Sequence, residues 1–125
     1  FQQEHIIFSS NHAQIFHTLD KAQWIRVITN LIHNSLQSIS KTKTPQIGIQ
    51  LIKELGEILL IISDNGKGIS PSLTGKIFEP KFTTKNSGMG LGLGIVKNII
   101  ESHNGNISFV SKQEKGTTFT IRLPQ

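Results

Sequence analysis

The stretch Ile58-Leu59-Leu60-Ile61-Ile62-Ser63-Asp64-Asn65-Gly66-Lys67-Gly68-Ile69 reads as a strand that ends on a carboxylate and runs straight into two glycines. Five apolar residues in succession, without alternation, imply a strand buried on both faces, so Asp64 is expected to emerge at the edge of the core. A carboxylate at that edge is an acceptor, and Gly66 and Gly68 leave a backbone that a flat ring system can approach closely. Just upstream, IGIQLI at 47–52 reads as a second strand, joined to the first across ELGE as a hairpin.

Working outward, Asp20 followed by Gln23 makes a capping-box start to a helix whose apolar residues recur at Ile25, Ile28, Ile32, Leu36 and Ile39. Its other stripe, Arg26, Asn30, Asn34 and Gln37, is rich in amides where a solvent face normally carries charge. Asn30 and Asn34 are four apart and therefore look to one side of the helix. KTKTP at 41–45 ends it. Before the helix, HIIFS at 5–9 and QIFHT at 14–18 read as short strands. After the central strand, SPSLTGKIF at 70–78 suggests a short helical turn, and residues 80–90 lack any period and read as a mobile loop. LGLGIVKNIIESH at 91–103 then gives a second long helix, with Ile95, Val96, Ile99 and Ile100 on one face and a C-terminal cap at Asn104 and Gly105. NISFVS at 106–111 and TTFTIRL at 117–123, linked by KQEKG, form a last hairpin with alternating faces.

The chain has 125 residues, enough for a single domain, 1–125, with its own core. It has no cysteine, which removes disulfide frameworks and thiolate metal sites and fits a reducing, cytoplasmic setting. No apolar stretch approaches the roughly 20 residues that span a bilayer, so no direct membrane contact is expected of this segment. The net charge of +5 comes from scattered lysines and not from a stripe on one element, so the sequence predicts no nucleic-acid binding. The histidines lack ligand spacing on a common element. The chain starts at Phe1, in mid-pattern, which reads as a fragment of a longer protein.

Four clusters carry the chemistry: NLIHN at 30–34, DNGKGI at 64–69, FEPKFTTK at 78–85 and GMGLGLG at 88–94. Glycines alternating at the start of a helix let amides and the helix dipole face anionic oxygens. The string fits neither the dinucleotide fingerprint nor the Walker A pattern. Together the clusters describe a nucleotide site. In this order they resemble the N box, first glycine box, F box and second glycine box of the ATP-binding catalytic domain of bacterial sensor histidine kinases. DNGKGI, IFEPKFTTK, GMGLGLGIV and KGTTFTIRLP look most like the nitrogen-regulatory subtype. The wider superfamily includes gyrase B subunits, mismatch-repair ATPases and heat-shock chaperone ATPases. The fold that the resemblance implies is an α/β two-layer sandwich of the Bergerat type, a mixed, mostly antiparallel sheet with about three helices on one face.

The resemblance also implies roles. Asn34 matches the asparagine that ligates magnesium, a neutral oxygen ligand for an ion shared with phosphates. Asn30 stands where related ATPases carry a water-orienting glutamate, and an amide cannot act as a general base, which favours transfer over hydrolysis. Asp64 resembles the aspartate that accepts from the exocyclic amine of adenine, with Gly66 and Gly68 keeping the backbone clear of the base. Ile69 and Phe78 wall the base or belong to the core. Lys85 reaches phosphate oxygens or is a solvated loop lysine. Gly88, Met89, Gly90, Leu91, Gly92 and Leu93 match the glycine box that closes over the phosphates. Gly116 and Thr117 resemble a late pair that supports the phosphate end, or make a plain hairpin turn. Ser35 replaces the usual alanine, Lys81 a common phenylalanine, and the lid is short.

No segment resembles the helix that carries the phosphoacceptor histidine. The resemblance therefore implies a domain that binds magnesium ATP and uses a dimerisation and histidine domain of the same protein as acceptor, with a response regulator receiver domain downstream. It places this segment in the cytoplasm and is compatible with a membrane anchor elsewhere. Three alternatives stand beside it: a protein or DNA-remodelling ATPase, a serine kinase of the anti-sigma type, and a nucleotide-binding module without turnover.

Overall fold

The computed structural model describes residues 6–11, 21–40, 43–79 and 90–124. Five strands, β1 (Ile6–Ser10), β2 (Ile47–Glu54), β3 (Glu57–Asp64), β4 (Asn106–Lys112) and β5 (Gly116–Pro124), form one sheet in the order β1-β2-β3-β5-β4. β1 pairs with β2 in parallel and the other three pairings are antiparallel, so the sheet is mixed as expected. Two helices, α1 (Lys21–Ser38) and α2 (Gly90–Ser102), pack together against one of its faces. The expected third helix is a single 3-10 turn at Pro71–Leu73, which proline starts and Thr74 closes on the Pro71 carbonyl. The strand expected at 14–18, the cap at Asp20 and the loop expected at 80–90 lie outside the described residues, apart from Gly90, which already belongs to α2.

Register decides what the helices cover. Ile49, Ile62, Phe119 and Phe109 stand in one row across β2, β3, β5 and β4, and Leu60, Ile121 and Ile107 in the next. Val27 and Leu31 from α1 and Leu93, Val96 and Ile100 from α2 close over them. β3 is buried on its core face at Ile58, Leu60 and Ile62, but on the other face only Leu59 is buried while Ile61 and Ser63 are half-exposed. The continuous apolar run therefore marks the central strand of a half-open sheet and not a strand covered throughout on both sides.

The apolar stripe expected on α1 is rotated. The buried line is Val27, Leu31 and Ser35, whereas Ile28, Ile32 and Leu36 are only partly covered and Ile25 is 53% exposed. Periodicity locates an apolar arc, and the sheet chooses which edge of the arc to bury; here Asn30 comes to lie beside Gly92 of α2, and Asn30 and Asn34 are both partly covered. On α2 the buried line is Leu93, Val96 and Ile100, with Ile95 and Ile99 beside it. The cap at its end divides its work: Asn104 takes the left-handed conformation (φ 65°) and the Gly105 amide bonds the Ile100 carbonyl at 3.0 Å.

The β2–β3 hairpin turns on two residues, Leu55 (φ 49°) and Gly56 (φ 78°), the mirror-image geometry that favours Asn-Gly. Leu55 is 97% exposed, so its side chain gains nothing for its backbone strain. Leu55→Asn is expected to stabilise the protein by about 0.5 to 1 kcal/mol, since asparagine tolerates this conformation better. Urea unfolding would measure it, and an unchanged or lower midpoint would count against the turn assignment.

Candidate functional site

The site forms where β3 ends and β5 begins, under the two helices. The row after Ile62 and Phe119 consists of Ile47, Asp64, Thr117 and Ser111, so the sheet exchanges apolar for polar side chains on its covered face at this one edge. A cavity of about 300 Å³ opens there. Ile69, Leu73, Ile77 and Leu93 supply apolar walls, and Asn34, Ser38, Asp64, Lys67 and Thr117 supply polar groups. An apolar slot with a few convergent polar atoms suits a flat heteroaromatic ligand.

Asp64 is its centre. The side chain is 9% exposed. Oδ1 accepts from the Gly66 amide at 2.8 Å and from the Ser38 hydroxyl at 3.4 Å. Oδ2 is buried and has no partner. Burial pushes the carboxyl above its ordinary value, and the Gly66 amide, then Ser35, Thr117 and Ser38, act against the rise.

The loop after Asp64 is built by protein contacts. A Cβ on Gly66 would collide with Ser38, whose carbonyl receives the Lys67 amide at 2.9 Å. Gly68 has φ 76° and a Cβ there would strike the Lys112 carbonyl, while the Glu114 amide bonds the Lys67 carbonyl at 2.8 Å. Both glycines are thus required by the end of α1 and by the β4–β5 turn, a reason different from the expected clearance for a base. Asn65 serves the scaffold, its side-chain amide bonding the Gln46 amide and the Thr44 carbonyl as a strand would. Gly116 (φ 134°) lies against the Asp64 carbonyl, where no Cβ fits.

Of the expected site residues, Asn34, Asp64, Gly68, Ile69, Leu93 and Thr117 line the cavity. Gly66 borders Asp64 through its amide. Asn30 does not line it; its side chain faces the start of α2, 3.4 Å from where a Cβ of Gly92 would stand. Gly90 and Gly92 open α2 as expected. Of the two readings of Phe78 the structure has the core one: it packs edge-on against Phe109 (6.0 Å) and Phe119 (6.4 Å), with Lys97 over its ring, and its neighbour Ile77 lines the cavity. Lys85, Gly88 and Met89 lie outside the described residues, as does the side chain of Leu91.

Ser38 and Ser111 escaped the reading of the sequence. Ser111 Oγ accepts from the Ile69 amide at 2.7 Å and lies 3.0 Å from Thr117 Oγ1, so one hydroxyl fixes a wall and a polar group of the cavity together. The strand register, four positions back from Lys115 across a hairpin, was the available signal, and it needs the pairing to be known.

Residues 19–125 match the model of the histidine kinase-, DNA gyrase B- and HSP90-like ATPases. The chain belongs to this ATPase family. Within it the chain is homologous to sensor histidine kinases: it is 42% identical over 107 residues to the sensor histidine kinase ZraS of Salmonella typhimurium, covering 84% of this chain and 22% of that protein. It is 36% identical over 122 residues to a putative NtrY-like sensor histidine kinase of Rickettsia conorii, covering 96% of this chain and 20% of that one. The chain thus spans about a fifth of the length of these relatives. Among solved structures, the catalytic domain of histidine kinase ThkA superposes with a TM-score of 0.83 at 28% identity, over 95% of this chain and 77% of that one. The mycobacterial sensor histidine kinase MprB gives 0.79 at 26% identity, over 97% and 84%. The half-open sheet with its helices on one face is therefore the fold of histidine kinase ATPase domains. No described helix of this family member is long and apolar enough to cross a membrane.

Proposed function

We propose that this chain binds magnesium ATP with its adenine against Asp64 and delivers the γ-phosphoryl to a histidine on a separate dimerisation domain of the same protein. The observation that carries the reading is Asp64, a nearly buried carboxylate that lines an apolar slot and has an oxygen, Oδ2, without a hydrogen-bond partner in the protein. An exocyclic amine satisfies it, and a guanine carbonyl in the same place would repel it. The phosphates would then extend toward the start of α2, where Gly92 lets the helix backbone lie close to Asn30 of α1. Asn34 fits a magnesium ion shared with phosphates, as a single neutral oxygen donor at the cavity.

Residues 1–125 make one catalytic and ATP-binding domain in this reading. The acceptor histidine domain, a downstream receiver domain and any membrane anchor belong to other parts or partners, and the domain works in the cytoplasm. Catalysis is positioning and charge neutralisation. With an asparagine at position 30, no carboxylate is available there to activate water.

The test is turnover. Alone, the chain is expected to bind ATP, hydrolyse it negligibly and take up no label from γ-labelled ATP. Addition of the matching histidine domain should yield an acid-labile phosphoryl group on that domain. Rapid hydrolysis by the chain alone, or acid-stable label on a protein acceptor, would sink the histidine kinase assignment.

A further inference from the structure

The loop that leaves Asp64 is seated on the end of the β4–β5 hairpin at three successive residues. The Lys67 carbonyl accepts from the Glu114 amide at 2.8 Å, Gly68 lies against the Lys112 carbonyl, where no Cβ fits, and the Ile69 amide donates to Ser111 Oγ at 2.7 Å. The first two contacts are made with hairpin backbone and depend on no hairpin side chain. The third depends on one hydroxyl. Among the described residues Ser111 is the partner that the fold gives the Ile69 amide, and Ile69 is a half-exposed apolar wall of the cavity. The same hydroxyl oxygen stands 3.0 Å from Thr117 Oγ1 and 3.3 Å from the Gly116 carbonyl. A serine hydroxyl has one proton and two lone pairs. With one lone pair taken by the Ile69 amide, the proton can go to Gly116 while the Thr117 hydroxyl donates to the second lone pair, so the three partners use the group completely. Ser111 does not itself line the cavity, whereas Ile69 and Thr117 do.

We propose that Ser111 is a positioning residue of the nucleotide cavity: without touching the ligand, its hydroxyl holds the Ile69 wall and the Thr117 side chain in place before a base enters. This rests on the nucleotide reading above. A wall already in place costs nothing to order on binding, whereas a loosened wall must be immobilised at the expense of affinity. Removing the hydroxyl leaves the Ile69 amide and the Thr117 hydroxyl without this partner. The loop then gains freedom at Ile69 while its seat at Lys67 and Gly68 holds.

Magnesium ADP binding would be measured by calorimetry for the parent chain, Ser111→Ala and Ser111→Thr, beside thermal unfolding and amide hydrogen exchange read residue by residue by NMR. Ser111→Ala should fold, since the position is half-exposed on an edge strand. It should bind ADP roughly three- to tenfold more weakly, the loss expected when the ligand must order one side chain. Its Ile69 amide should exchange faster than the parent's in the free protein and slow again with ADP bound, while the Glu114 amide, held by backbone, should exchange as in the parent. Ser111→Thr keeps the hydroxyl and suits a strand, so it should restore both affinity and Ile69 protection. Unchanged ADP affinity in Ser111→Ala would overturn this inference and leave the nucleotide reading intact. An equal loss in Ser111→Ala and Ser111→Thr would also overturn it, because the hydroxyl would not be the cause. So would a Ser111→Ala chain that no longer folds, since the residue would then serve the sheet as a whole. Failure of the parent to bind ADP would overturn both.

Discussion

Asp64→Asn should bind magnesium ATP and ADP roughly ten- to hundredfold more weakly than the parent, a loss of about 1 to 3 kcal/mol, while folding at least as stably. The argument turns on which atom is already taken. Oδ1 accepts from the Gly66 amide at 2.8 Å, a backbone donor that the loop cannot move. An asparagine must turn its carbonyl to that donor and then offers an NH2 group in place of the second acceptor, whereas the base amine of the proposed complex also donates. Donor then faces donor. The carboxylate avoids this because both of its oxygens accept.

Stability runs the other way. The carboxyl of Asp64 sits above its ordinary value because burial disfavours the charge. The folded protein therefore takes up this proton at a higher pH than the unfolded chain. The contribution of the group to stability is fully present below the ordinary aspartate value and is lost as pH rises through the raised one. At neutral pH the ionised side chain works against folding, and the neutral amide removes that penalty. Calorimetric titration beside thermal unfolding separates the two effects. Unchanged affinity in Asp64→Asn would remove Asp64 from base recognition, and a large drop in melting temperature would show that the residue serves the fold instead.

Phe119→Ala should cost about 3 to 5 kcal/mol, the range for deleting a buried aromatic ring from a close-packed core. Phe119 is fully buried in the central row of the sheet, flanked by Phe109 at 5.8 Å and Phe78 at 6.4 Å. Both neighbours are only partly covered and cannot collapse into the space without exposing their other faces. Thr117 lies two residues along the same strand and the same face, so the loosened packing reaches the cavity wall. For a chain of 125 residues this corresponds to a fall of more than about 10 °C in melting temperature. Phe78→Ala, with its ring at the margin of the cluster, should cost less. A loss under about 1 kcal/mol for Phe119→Ala would mean that the three rings do not form the core described here.

The sequence by itself determined the elements and the family. An apolar run ending in Asp64, a helix with paired asparagines and a glycine string opening a second helix are local patterns, and local patterns follow from backbone geometry and period. Their order along the chain pointed to an ATP-binding domain of the histidine kinase type, and the family match agrees. The hairpins and the placement of Asp64 at a strand end were legible because each depends on residues near in sequence.

Only the tertiary structure decided which faces meet. It rotated the buried line of α1 onto Val27, Leu31 and Ser35, because an apolar arc wider than its contact can be buried at either edge. It put Phe78 with Phe109 and Phe119 and gave its place at the cavity to Ile77, since neighbours in a tight turn point to different sides. It also explained Gly66, Gly68 and Gly116 by the close approach of Ser38, Lys112 and Asp64, contacts across long sequence separations. Ser38 and Ser111 carry no sequence signal for the same reason: a serine becomes part of a site only when strand register and helix docking bring a partner to its hydroxyl.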